Sequence, residues 1–141
     1  NEKVNDSAVF INLESNIGST YFLMGNHKKA LKYFEKAISY YKKQKDFFQL
    51  SNTTLNLGNV QLALKDTTGA INSYNKTIEY ALQANNLSTL ASGYNNIGSI
   101  YTAQNKFDLA VKSIKQSISI REKLGLDADL ESWKLSVENK Q

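Results

Sequence analysis

The sequence predicts an all-α fold, a solenoid of three helix-turn-helix units followed by a shorter C-terminal helix. Two observations carry that expectation: an internal period of 40 residues, and apolar residues recurring at spacings of three and four within each period. A third supports it, since the chain has no proline to interrupt a helix.

The period is visible as columns. Gly18, Gly58 and Gly98 fall in register, each preceded by Asn and an apolar residue: Asn16-Ile17, Asn56-Leu57 and Asn96-Ile97. Twelve residues after each Gly stands an alanine (Ala30, Ala70, Ala110), followed by Leu31, Ile71 or Val111. Phe34, Tyr74 and Ile114 come next, then Ile38, Ile78 and Ile118. Phe10, Leu50, Leu90 and Leu130 form a further column that reaches into the C-terminal tail.

Each unit reads as two helices. Asp6, Asp46 and Asn86 are expected to cap the first helices, near 7–24, 47–64 and 87–104, by accepting hydrogen bonds from free backbone N–H groups. Asn26 and Asp66 do the same for second helices near 27–44 and 67–84, with a third near 107–124. Leu31, Phe34, Ala37, Ile38 and Tyr41 share one face of such a helix. Glycine inside a helix costs about 1 kcal/mol relative to alanine. Three in register therefore imply a close helix approach, with Ala30, Ala70 and Ala110 expected opposite. No unit can bury its apolar face alone, so units 6–45, 46–85 and 86–125 must stack. The tail, residues 126–141, keeps the register with Leu130 and Val137 but has Glu138 in the glycine column. It is expected to be a capping helix or a truncated fourth unit. Asp127, Asp129 and Glu131 suit a helix start, and Trp133 can cover the end of the stack.

These columns resemble the tetratricopeptide repeat, whose signature runs W-x2-L-G-x2-Y, then A-x3-F, then A and P. The first unit supplies Ile17-Gly18-x2-Tyr21, Ala30-x3-Phe34 and Ala37; the second Leu57-Gly58-x2-Gln61, Ala70-x3-Tyr74 and Thr77. The third supplies Ile97-Gly98-x2-Tyr101, Ala110-x3-Ile114 and Ser117. Glu14, Thr54 and Tyr94 stand at the Trp position, the closing Pro is missing, and 40 residues replace the usual 34. The longer period is similar to the long-helix variety found in kinesin light chain, cell-polarity adaptors and bacterial peptide-sensing regulators.

The resemblance implies a right-handed superhelix whose first helices line a concave surface. The family's groove positions fall on Asn12, Ser15, Asn16, Ser19 and Phe22, then on Asn52, Leu55, Asn56, Asn59 and Leu62. In the third unit they fall on Ser92, Asn95, Asn96, Ser99 and Thr102. In the family, Asn at the position of Asn16, Asn56 and Asn96 often holds a ligand's main chain, and an amide's donor and acceptor match an extended peptide. The same residue can instead bond a neighbouring helix. The family's clamp for a terminal carboxylate needs Lys and Arg in the groove; Ser15, Ser19, Ser92 and Asn96 stand there, so that clamp is absent.

Composition narrows the function. With 41% hydrophobic and 21% charged residues the chain is of ordinary globular type rather than disordered. The lack of cysteine excludes a disulfide framework, a thiolate metal site and a cysteine nucleophile. No apolar run approaches the roughly 18 residues of a membrane span. The net charge of +4 comes from 16 Lys and one Arg, whereas nucleic-acid readers rely on Arg. Lys28, Lys29, Lys32, Lys36, Lys42, Lys43 and Lys45 spread around one helix and read as a solvated outer face, so no nucleic-acid partner is expected. Tyr33, Tyr40, Tyr41 and Tyr80 read as packing residues, and so does His27, the one histidine. No metal set, catalytic triad, phosphate loop or paired carboxylates can be assembled, so neither cofactor, metal nor enzymatic activity is expected.

The function implied is a scaffold that holds a protein or extended peptide in the groove. The alternative is a sensory input segment of a larger bacterial kinase or transcription regulator, in keeping with Asn1 in place of an initiating Met. Self-association through the ends of the solenoid, near Phe10, Trp133 and Val137, is a further expectation. The compartment stays open between cytoplasm and periplasm.

Overall fold

The computed structural model describes residues 2–125, and these form six α-helices. In chain order they are α1 (Glu2–Leu23), α2 (His27–Gln44), α3 (Phe47–Ala63), α4 (Thr67–Ala84), α5 (Leu87–Ala103) and α6 (Phe107–Leu124). A 17-residue first helix, a three-residue turn, an 18-residue second helix and a two-residue turn fill the period of 40. The tail expected to cap the stack, residues 126–141, lies outside the described residues.

Local chemistry sets most of the boundaries. Asn26, Asp46 and Asp66 cap as expected, accepting from the backbone N–H of Lys29, Gln49 and Gly69 at 3.3, 3.1 and 3.0 Å. Two expected caps behave differently. Asp6 lies inside α1, which begins a turn earlier at Glu2. Asp46 and Asn86 each follow a residue in the left-handed conformation, Lys45 (φ 52°) and Asn85 (φ 51°), which swings the chain out of the preceding helix. No such turn precedes Asp6 among the described residues, so α1 runs through it, helped by Glu2 at its positive end. Asn86 does occupy the cap position of α5, yet its side chain makes no cap bond. Its amide points across to α3 instead.

Both kinds of turn repeat. Gly25, Lys65 and Asn105 leave the first helices at φ 79°, 63° and 61°, and Lys45, Asn85 and Gly125 leave the second at 52°, 51° and 65°. A lysine there meets a steric penalty that glycine escapes, only partly offset by glycine's larger backbone entropy. Lys45→Gly and Lys65→Gly are each expected to stabilise the fold by about 0.5–1 kcal/mol, read as a rise in Tm of about 2–3 °C each.

Packing is sequential, each helix against the next, with one addition. The backbone of α1 also approaches α3, and that of α3 approaches α5, whereas no two of α2, α4 and α6 come as close. The first helices are therefore the crowded inner row, and the second helices splay on the outside.

The in-register glycines make room for bulky side chains of the second helices. A Cβ on Gly18 would stand 3.0 Å from Tyr33 Cβ and 3.1 Å from the Phe34 ring, one on Gly58 2.5 Å from the Tyr74 ring, and one on Gly98 2.8 Å from Ile114 Cγ1. Ala30, Ala70 and Ala110 are buried, but they are not the main partners of these notches. The column of Phe34, Tyr74 and Ile114 fills them, because these longer side chains reach back over the first helix.

Candidate functional site

The inner row is uncharged along α3 and α5, and the charges of α1 lie in its first turns, at Glu2, Lys3 and Asp6, and at Glu14. α3 and α5 contain no Asp, Glu, Lys, Arg or His. α1 carries Glu14, which is nearly buried and pairs with Lys36 Nζ of α2 at 2.7 Å. Of the expected groove residues, Asn12, Asn16, Asn95 and Ser99 are exposed. Ser15, Ser19, Asn52, Leu55, Asn56, Asn59 and Asn96 are half-buried.

Several of these polar groups are already engaged within the fold. Asn12 Oδ1 accepts the Tyr41 hydroxyl. Asn52 Oδ1 accepts from the Asn86 amide at 2.9 Å and the Thr89 hydroxyl at 2.6 Å, tying α3 to the start of α5. Asn59 Oδ1 accepts from the Tyr74 hydroxyl at 2.6 Å and from the Asn96 amide at 3.2 Å. The Ser19 and Ser99 hydroxyls donate to carbonyls one turn back, at Ser15 and Asn95. Gly58 makes the middle link available: with no Cβ beneath it, the Tyr74 ring lies across α3 and carries its hydroxyl to Asn59.

The asparagine column divides as a result. Asn96 bonds Asn59, the residue 37 positions earlier on the neighbouring first helix. The same offset from Asn56 leads to Ser19, too short to reach and turned to its own helix. Neither Asn16 nor Asn56 makes a side-chain hydrogen bond to another described residue. An amide without a partner inside the fold, exposed at Asn16 and half-buried at Asn56, is suited to exchanging a donor and an acceptor with a peptide unit.

Sequence reasoning missed the polar pairs that tie the helices together. Between units, Ser51, Asn86 and Thr89 join Asn52 in one cluster; within the second unit, the Thr54 and Thr77 hydroxyls meet at 3.0 Å and Ser73 donates to Gln61 at 2.5 Å. The signal was present as polar residues at buried positions. Thr54 is small where the other units have Glu14 or Tyr94, and Thr77 brings a second hydroxyl to a column otherwise held by Ala37 and Ser117. His27 packs against Phe22, ring centres 5.3 Å apart, and Tyr33 stacks on Tyr21 at 5.7 Å. Tyr80 does so on Phe47 at 6.1 Å, and Tyr41 is buried. The lysines of α2 are exposed.

Two phenols in this network are displaced from their ordinary pKa of 10.0. Burial raises Tyr41, with Asp46 and Tyr40 adding to the effect. Burial also raises Tyr74, against a lowering by the Asn96 amide beside it. A phenol that holds its proton more tightly folded than unfolded supports the fold fully below its unfolded pKa and loses that support as pH rises past it. Denaturation midpoints are therefore expected to be level to about pH 9 and to fall above pH 10. Tyr41→Phe and Tyr74→Phe should each flatten part of that fall.

Among the described residues no helix is long and apolar enough to cross a membrane, and no three His, Cys, Asp or Glu gather as metal ligands. A search of curated proteins finds no match to the sequence. The tetratricopeptide repeat sequence model matches residues 10–83 and, one unit further along, 49–123. Repeats of this kind generally mediate protein–protein interactions and are typically non-catalytic. The two matches overlap to span residues 10–123, most of the chain, which thus belongs to the tetratricopeptide repeat family.

Proposed function

We propose that the inner face holds an extended, uncharged segment of a partner protein by its main chain, with Asn16 and Asn56 as the gripping amides. The observation that carries this reading is the division of the asparagine column, in which Asn96 is bonded within the fold and Asn16 and Asn56 are not. Asn12, Asn52, Asn59, Asn96, Asn95, Ser15, Ser19 and Ser99 shape the floor and walls. Leu55 and the exposed Leu62, two turns apart on one helix, offer apolar contact to alternate side chains of the ligand. A neutral floor disfavours charged ligands, because a buried charge without a partner is costly. Helices of 17 and 18 residues support the long-helix variety of the family.

The test begins with peptides selected from a random displayed library against the full chain. Uncharged sequences are expected to dominate. Asn16→Ala and Asn56→Ala should each weaken the selected peptide about tenfold, the equivalent of one hydrogen bond. N-methylation of single peptide bonds in the ligand should abolish binding at two or three positions. Ser19→Asn, which offers Asn56 an internal partner, should also weaken binding while stabilising the fold. Full binding by a folded Asn16→Ala/Asn56→Ala chain would discard the reading.

A further inference from the structure

The two ends of the stack carry the separated halves of a joint that the chain makes twice internally. Leu50 on α3 is only 1% exposed because Ile38 and Tyr41 of α2 cover it, and Leu90 on α5 is buried likewise against Ala81 and Ile78 of α4. Phe10, their counterpart on α1, is 58% exposed, and Leu13 and Ile17 extend the bare face along the helix. Beside it lies an open cavity of about 490 Å³ walled by Phe10, Ile11, Lys36 and Tyr40. At the other end Ile118 of α6 is 40% exposed, against 8% for its counterpart Ile38, and Val111 is exposed as well. Each end therefore displays the surface that the other end lacks.

A second copy can cover α1 in two ways, and charge decides between them. Setting α1 on α1 of another copy opposes like charges, since Glu2 and Asp6 outnumber Lys3 on its exposed surface, Glu14 being already paired with Lys36. α6 has the opposite sign, because Lys112, Lys115, Arg121 and Lys123 against Asp108 and Glu122 leave it at +2. The internal first helices α3 and α5 carry no such charges. Tyr41 and Asp46 adjoin each other in the first internal joint, the Asp46 N–H donating to the Tyr41 carbonyl at 3.0 Å. Their counterparts at the ends, Arg121 and Asp6, are an oppositely charged pair.

We propose that copies of this chain associate head to tail, the α6 face of one docking on the α1 face of the next. The two surfaces differ, so the contact does not close on itself and growth continues by addition.

Sedimentation of the full chain from micromolar to millimolar concentration tests this. The mean mass is expected to rise at least twofold above the monomer, and to fall back in high salt as Asp6 and Arg121 are screened from each other. Two blocked variants, Phe10→Asp/Ile17→Asp and Val111→Asp/Ile118→Asp, change residues that are already exposed. Each alone should stay monomeric with unchanged helical circular dichroism, and their equimolar mixture should form a dimer and nothing larger. A wild-type chain that is monomeric throughout overturns the proposal. So does an α6-blocked variant that associates as strongly as wild type, since that would be α1 pairing with α1.

Discussion

Tyr74→Ala is expected to lower the unfolding free energy by about 4 kcal/mol, the range of a large aromatic removed from a core. Tyr74 is 1% exposed, packs with Ala70, Ile97 and Ile100, and joins the second unit to the third. Its removal empties the notch over Gly58 and leaves Asn59 with only the Asn96 amide as a side-chain partner. Domains of this size have a total stability of about 5–15 kcal/mol, so the variant should be marginal at room temperature. Tyr74→Phe separates the two contributions, keeping the packing and losing one hydrogen bond, at about 1 kcal/mol. Urea unfolding of the three chains is the measurement. A loss below about 1 kcal/mol for Tyr74→Ala would mean that the ring does not tie the units together.

Gly58→Val should be nearly as damaging, at about 3 kcal/mol, near the upper end for overpacking a core. The new Cβ would stand 2.5 Å from Tyr74 Cε1, and the ring cannot withdraw without breaking its bond to Asn59. Gly58→Ala sets the same clash against a gain of about 1 kcal/mol in helix propensity, so its net cost is smaller. In a Tyr74→Ala background the clash disappears, and Gly58→Ala should then stabilise the chain. That reversal of sign is the signature of direct coupling between the two positions. Gly98→Ala should cost less than Gly58→Ala, because the side chain it meets, Ile114, is flexible and only half-buried.

Helix positions were legible because several independent signals agreed at each one. Five of the six helices begin where the repeat and its caps indicated, α3 at Phe47 and α4 at Thr67 among them. The start of α1 was not legible, since an Asp within a helix-forming stretch caps only when a turn stops the chain before it. Gly18, Gly58 and Gly98 announced a close approach, yet not with which residue. That depends on side-chain reach: Phe34, Tyr74 and Ile114 extend back over the notch while the alanines merely line the pair.

The inner-row positions came from the family pattern and the columns. Which amides are engaged could not be read that way. Asn16, Asn56 and Asn96 share the same Asn-apolar-Gly pattern, and what separates Asn96 from Asn56 is whether Asn59 or Ser19 stands across on the neighbouring first helix. Asn59 and Tyr74 occur together in one unit, whereas Ser19 sits with Phe34 and Ser99 with Ile114. That pairing was visible along the chain, but only the packing of α4 over α3 gives it meaning.

The groove is tested most directly by the side-chain amide resonances of the asparagines in ¹⁵N NMR as a selected peptide is titrated in. The Asn16 and Asn56 amide groups are expected to shift strongly, and Asn96, bonded to Asn59, to move little. Shifts gathered on α2, α4 and α6, with Asn16 and Asn56 unmoved, would contradict a ligand held along the inner row.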